Sequence, residues 1–395
     1  MSPEWICSQL GAREHYSIPR ALHGAGKLKE LHTDLWSSGL WQLCRILGAP
    51  GRDLAGRFHP DLRSARVHAY PMQGIPQTIR TRRASPAELG DSVLRHSQWL
   101  DRQVVRSLRA GMTLFSYTGT FLESARRLHE LGGGLAIHGQ VDPAASEEEI
   151  VAEERQCWPG WESAAAVVPE AWKERRQAEW AEADVIVVNS DWTRTCLQAQ
   201  GVPEAKLRIV PLAYTPPCAP VPPRQPGPNL RVLWLGQVIL RKGIPYLLEA
   251  ARRLAGEPIE FVVAGSIQIS REAVASAPPN VRFIGPVSRS LVSKLYADAD
   301  VFVLPTLSDG FAITQLEAMA HGLPVIATPR CGEVVLPGRN GRLVPPADSE
   351  ALTEALASLI ADRASLASMS HEALQTSKQF GLDRLAASLL QLVPS

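Results

Sequence analysis

The stretch from Pro211 to Asn229, PLAYTPPCAPVPPRQPGPN, holds eight prolines in nineteen residues. Proline fixes φ and lacks a backbone N–H, so neither a helix nor a central strand can run through it. Such a segment is a semi-rigid connector, and the chain must fold as units on either side of it. The connector, 213–229, separates a unit at 1–212 from one that begins at 230; the second unit is expected to run over 230–375, ahead of a closing helical segment at 376–395. With 395 residues there is enough chain for a core in each unit. A hydrophobic content of 45% with 21% charged residues excludes disordered and collagen-like classes.

Beyond the connector, apolar strand-like runs alternate with amphipathic helical ones. The pattern predicts strands at Arg231–Leu235, Ile259–Ala264, Val281–Ile284 and Val301–Leu304. Helices are expected at Pro245–Leu254 and Ser288–Ala297, with a short segment at Ser270–Ala277. Alternation of this kind predicts an α/β unit with a parallel sheet covered by helices. Ligands of such sheets bind past the C-terminal strand ends, where Gly236, Gly265, Gly285 and Asp309 fall.

The run Asp309 to Glu317, DGFAITQLE, places two carboxylates eight positions apart across a loop-to-helix junction. The preceding ADVFVLP reads as a strand, and Gly322 and Pro324 stop the helix that follows. Backbone N–H groups of Phe311, Ala312, Ile313 and Thr314 are then expected as donors at a helix N-terminus, which suits a diphosphate. A plainer alternative is a capping box between Thr314 and Glu317 after an Asp309-Gly310 turn. Arg241 and Lys242 lie in QVILRKG, just before a helix, where the helix dipole disfavours cations. A compensating anion, such as a diphosphate, would account for the pair.

These residues resemble the retaining, GT-B-fold glycosyltransferases of family four. The shared signature is an acidic residue, Gly-Phe, and a glutamate eight positions after the first, continuing here as EAMAHGLPVIA from Glu317 to Ala327. Asp309 stands where the family usually has glutamate. The resemblance implies two facing doubly wound parallel-sheet domains with the active site in the cleft between them, and a closing helix near Leu382–Leu392 crossing back to the first domain. It implies metal-independent transfer of a sugar from a nucleotide-diphosphate donor to an acceptor hydroxyl, on a glycan or lipid-linked glycan, with retained anomeric configuration. Arg241 and Lys242 would hold the diphosphate, Glu317 the ribose and Asp309 the transferred sugar, with Gly236, Gly310 and the 311–314 backbone lining the donor. A GT-B-fold epimerase and a non-catalytic nucleotide-sugar-binding protein are the alternatives.

The first unit carries fewer signals. Strands are expected at Trp5–Leu10, Leu114–Tyr117, Leu135–Ile137, Asp184–Asn189 and Lys206–Leu212, with a helix at Ile18–Leu22. The loop Gly11-Ala12-Arg13-Glu14 resembles the family's glycine-rich donor loop, with Ala12 in place of a second glycine. His138, expected just beyond its strand, resembles the family's active-site histidine and would line the acceptor side.

Charge is close to balanced at +1, which argues against nucleic acid as a partner. Its distribution is uneven: residues 1–127 hold 18 basic and 10 acidic side chains, and 128–210 hold 7 and 15. Arg80, Arg82, Arg83, Arg95, Arg102, Arg106 and Arg109, with Trp99 and Leu100, suggest a surface for an anionic membrane or a lipid-linked phosphate. Six cysteines show no metal-type spacing, and no His/Asp/Glu spacing predicts a metal site. The absence of a leader-like start and of a long apolar run predicts a cytoplasmic protein, peripheral to the membrane at most.

Overall fold

The computed structural model describes residues 4–39, 51, 54–163, 168–216 and 227–393. Much of the proline-rich connector, 217–226, lies outside them, as do Cys44 and Cys218. Two all-parallel sheets organise the described residues. The first has seven strands: β1 (Trp5–Gln9), β2 (Leu28–Thr33), β3 (Val67–Ala69), β4 (Thr113–Tyr117), β5 (Leu135–Gln140), β6 (Val185–Val188) and β7 (Leu207–Ile209), in the order β3-β2-β1-β4-β5-β6-β7. The second has six: β8 (Leu230–Leu235), β9 (Ile259–Ala264), β10 (Val281–Gly285), β11 (Val301–Leu304), β12 (Val325–Ala327) and β13 (Gly341–Leu343), in the order β10-β9-β8-β11-β12-β13. Strand order reverses direction beside β1 and beside β8, the doubly wound pattern in each case.

Helices cover both faces of each sheet, which explains why the strands read as apolar runs instead of alternating patterns. Successive side chains of a strand point to opposite faces. Trp5 and Cys7 accordingly join one core cluster with Tyr16, Leu22 and Phe115, while Ile6 joins another with Leu114, Phe121 and Ile186. In the second sheet Val232 and Trp234 pack with Leu247, Phe261 and Leu356, and Leu233 packs on the other face with Phe302, Leu316 and Met319. The last helix, Leu382–Leu390, places Leu385, Ala386 and Leu389 in the Trp5 cluster of the first domain.

The expected strand at Ile259–Ala264 coincides with β9, and most others differ by a residue or two at their ends. The strands β2 and β3, LKELHT and VHA, were not expected. Their faces carry Lys29, Glu30, His32 and His68, so no apolar pattern marks them. Leu100, expected at a membrane-facing surface, is wholly buried within the Pro86–Val104 helix. Trp99 is half-buried, with Tyr70 edge-on against its ring.

Candidate active site

The two sheets meet at a cleft of about 800 Å³. Arg13, Tyr117, Glu147 and Trp172 of the first domain line it, with Ile239 and Arg241 from the second. Direct bonds fasten the facing domains around it. Leu240 N–H donates to Glu162 Oε1 at 2.6 Å, Tyr246 Oη to Glu154 Oε2 at 3.1 Å, and Trp192 Nε1 to Ser308 Oγ at 3.2 Å.

Arg241 and Lys242 end the 3₁₀ turn Leu240–Lys242, which follows β8 and leads through Gly243 into the Ile244–Arg253 helix. The Arg241 carbonyl accepts from Leu307 N–H at 2.8 Å and from Thr306 Oγ1 at 3.1 Å, which pins the turn to the loop after β11. That same loop carries Asp309. Lys242 Nζ makes an ion pair with Asp309 Oδ2, and Arg241 Nη1 lies 3.7 Å from Asp309 Oδ1. Burial pushes the Asp309 carboxyl up, but Lys242 and Arg241 outweigh it and hold the group below its ordinary value. The carboxylate is therefore ionised beside two cations.

Glu147, absent from the expected site, completes the cluster from the opposite domain. Its Oε2 accepts from Arg241 Nη1 at 3.2 Å and from Ser308 Oγ at 3.0 Å. Burial raises its carboxyl to about 7, against the pull of Arg241 and with Asp142 and Asp309 adding to the rise. Glu147 occupies the run SEEEI at a helix start, where it reads as one of several solvated acids. Nothing local in the sequence marks it.

Gly310 packs against the first domain with no room for a side chain: a Cβ there would stand 1.7 Å from the Val141 carbonyl oxygen. After it Phe311 and Ala312 are buried, and the helix Ile313–Ala320 begins with Ala312 as its N-cap and no capping side chain. Thr314 and Glu317 both lie inside that helix, so they do not form a capping box. The expectation that the whole 311–314 backbone is free to donate is also corrected, because Ala312 N–H donates to the Cys331 carbonyl at 3.0 Å. Glu317 Oε2 accepts from the buried Tyr296 hydroxyl at 2.9 Å. Burial, with Glu317 nearby, raises the Tyr214 hydroxyl to about 12.

Gly236 follows the end of β8 and donates its N–H to the Ala264 carbonyl at 3.0 Å, beside the end of β9. One residue of the first domain, His138, is placed differently from expectation. His138 lies within β5, not beyond it, and is fully buried, with Phe121 edge-on against its ring and Glu179 Oε2 at 3.5 Å. Neighbouring strands cover it on both sides, so it does not line the cleft. Gly11 donates its N–H to Asp34 Oδ1 at 2.9 Å, which ties its loop to the end of β2. From the same loop Arg13 walls the cleft together with Tyr117, the Arg13 guanidinium lying 5.0 Å from the Tyr117 ring centre.

Two doubly wound domains facing across a cleft, with cations and carboxylates from both gathered at it, have the GT-B architecture. Residues 229–362 match the family model described as glycosyl transferases group 1. A D-inositol 3-phosphate glycosyltransferase of Xylanimonas cellulosilytica is 32% identical over 172 residues, 41% of each chain. One of the same name from Corynebacterium urealyticum is 28% identical over 248 residues, 54% of this chain and 57% of that one. The chain thus spans about half the length of these curated relatives. Among solved structures, sucrose-phosphate synthase from Thermosynechococcus elongatus superposes with a TM-score of 0.61 over 99% of this chain and 98% of that one, at 18% identity. The chain has the GT-B fold, and residues 229–362 of its second domain are similar to the glycosyl transferases group 1.

Proposed function

We propose that the protein is a retaining glycosyltransferase that moves a sugar from a nucleotide-diphosphate donor to an acceptor hydroxyl. The convergence of Arg241 and Lys242 on Asp309, at the start of the Ile313–Ala320 helix, carries this reading. Two fixed cations there would offset the charge that builds on a leaving diphosphate, and the N–H groups of Phe311, Ile313 and Thr314 would add to them. Asp309 would meet hydroxyls of the transferred sugar and Glu317 the ribose.

Retention would follow without a protein nucleophile. The glycosidic C–O bond to the diphosphate breaks, and the acceptor oxygen bonds to the anomeric carbon from the same face. Its proton passes to the departing phosphate oxygen. The protein's part is to position both substrates and stabilise charge, so no metal step is needed.

The wall formed by Arg13, Tyr117 and Trp172 would take a glycan or lipid-linked acceptor. The relatives' names, with inositol 3-phosphate as the named substrate, favour a hydroxylated acceptor bearing phosphate. No helix among the described residues is long and apolar enough to cross a membrane. A peripheral contact would use the Pro71–Arg83 helix, where exposed Met72 and Ile79 adjoin Arg80, Arg82 and Arg83.

The test is nucleoside diphosphate release from a set of nucleotide sugars, with and without glycan and inositol phosphate acceptors, followed by NMR of the anomeric proton in the product. Acceptor-dependent release with an unchanged anomeric configuration is expected. Inversion would refute the retaining reading, and donor turnover to an epimer without acceptor would favour an epimerase.

A further inference from the structure

Far from the donor-side residues, the first sheet brings together three side chains that the sequence holds apart. Glu30 and His32 are two residues apart on β2 and so share a face, and His68 on β3 is the direct register partner of His32. The imidazoles stack, with ring centres 4.7 Å apart and planes 9° from parallel. Their Nε2 atoms converge on one oxygen: His32 Nε2 and His68 Nε2 each lie 3.3 Å from Glu30 Oε2. Ligands bound at 2.0–2.2 Å around a tetrahedral ion stand roughly 3.3–3.5 Å apart, so these two spacings match the edges of such a site.

The surroundings are those of a built site. Glu30 and His32 are buried, and His68 is partly exposed. The second nitrogen of His32, Nδ1, lies 2.9 Å from the Tyr70 hydroxyl. In the tautomer that donates to Tyr70 from Nδ1, the Nε2 lone pair faces Glu30, as in metal sites whose histidines are oriented by an outer partner. Arg66 Nη1 holds the other carboxylate oxygen, Oε1, at 3.2 Å, and the Ser107 side chain also bonds this carboxylate. The Arg66 side chain is 67% exposed, so solvent screens much of its charge. His68 Nε2 is shielded from solvent and makes no aligned hydrogen bond among the described residues, its polar contact being the ion pair with Glu30 Oε2.

We propose that Glu30, His32 and His68 bind one divalent cation of the zinc class. Two imidazole nitrogens and one carboxylate oxygen suit zinc, and a fourth position beside His68 is left to water. The ion cross-links β2 to β3, a three-residue strand at the edge of the sheet. Its role is to fasten that edge, separately from the transfer chemistry proposed for the second domain.

The experiment uses the full chain, stripped with a chelator and then titrated with zinc against a chromophoric competitor. Elemental analysis of the refilled protein should find one zinc per chain. Cobalt in its place should show the visible absorption of a low-symmetry, four-coordinate ion. His68→Asn and Glu30→Gln should each weaken zinc binding at least 100-fold while the far-ultraviolet dichroism of the metal-free protein stays unchanged. Tyr70→Phe, which leaves all three ligands in place, should weaken it roughly 10- to 100-fold and carries the test if the ligand variants fail to fold. Zinc should raise the wild-type melting temperature and leave that of His68→Asn unmoved. Stoichiometry well below one, or equal zinc affinity in wild type and the variants, would show a hydrogen-bonded His/Glu cluster only and overturn the proposal.

Discussion

Lys242 shows how one side chain is committed to a site by its neighbours. Gly243, directly after it, has φ of 72°, and a Cβ there would lie 1.8 Å from the Pro305 carbonyl oxygen. Only glycine both adopts that backbone and lets the turn close onto the loop that carries Asp309. Lys242→Ala should lower kcat about 10²- to 10³-fold, the usual effect of deleting a partner of transition-state charge. Steady-state rates within a few-fold of wild type would remove Lys242 from the chemistry. Glu317 calls for a different outcome, since a neutral amide still accepts one hydrogen bond. For Glu317→Gln, calorimetry should show weaker donor binding with kcat less affected, and an unchanged donor Kd would count against its contact with the ribose.

At the scale of elements, the inter-domain seam makes two predictions. Gly310→Ala must drive the Asp309 loop away from Val141, so activity should fall and stability should drop by on the order of 1–3 kcal/mol. Thermal unfolding compared with donor turnover separates the two effects. Glu147 supplies a pH-dependent term. Its folded pKa of about 7 exceeds the ordinary 4.5, so its contribution to stability is complete below about 4.5 and is lost as pH rises through 7. Melting temperatures of wild type and Glu147→Gln should therefore diverge between pH 5 and 7.5, with the variant gaining roughly 2–4 °C on wild type. Parallel curves would contradict that assignment. The second domain was legible in the sequence because β8, β9 and β11 are largely apolar and largely buried runs, each followed by glycine or proline. In the first domain β2 buries Glu30 and His32, so hydrophobic pattern could not find it, nor the cluster it shares with β3. Glu147 and the Val141–Gly310 approach were hidden for another reason. Each is a contact between residues far apart in sequence, 94 positions for Glu147 with Arg241 and 161 for Glu147 with Ser308, which local spacing does not encode.

Over the whole molecule, the chain leaves the first domain, builds the second and returns, so the two are clasped at the cleft and at the closing helix. Leu389 is fully buried in the first domain's core, and Leu389→Ala should cost about 2–5 kcal/mol. Denaturant unfolding would read that loss directly, and a cost under 1 kcal/mol would mean that the helix is peripheral to the core. The clasp holds facing the cleft a site whose motif residues come from the second domain and whose opposite wall, Arg13, Tyr117, Glu147 and Trp172, comes from the first. The motif could be read from the Asp309–Glu317 spacing, whereas the opposite wall emerged only from the fold. The most direct test of a donor site at Arg241, Lys242 and Asp309 is a thermal-shift comparison of wild type and Lys242→Ala with UDP, GDP, ADP and their sugar conjugates. We expect one base to stabilise the wild type and to lose most of that effect in the variant. Folded protein that responds to none of these nucleotides, or a variant stabilised as much as wild type, would contradict the account.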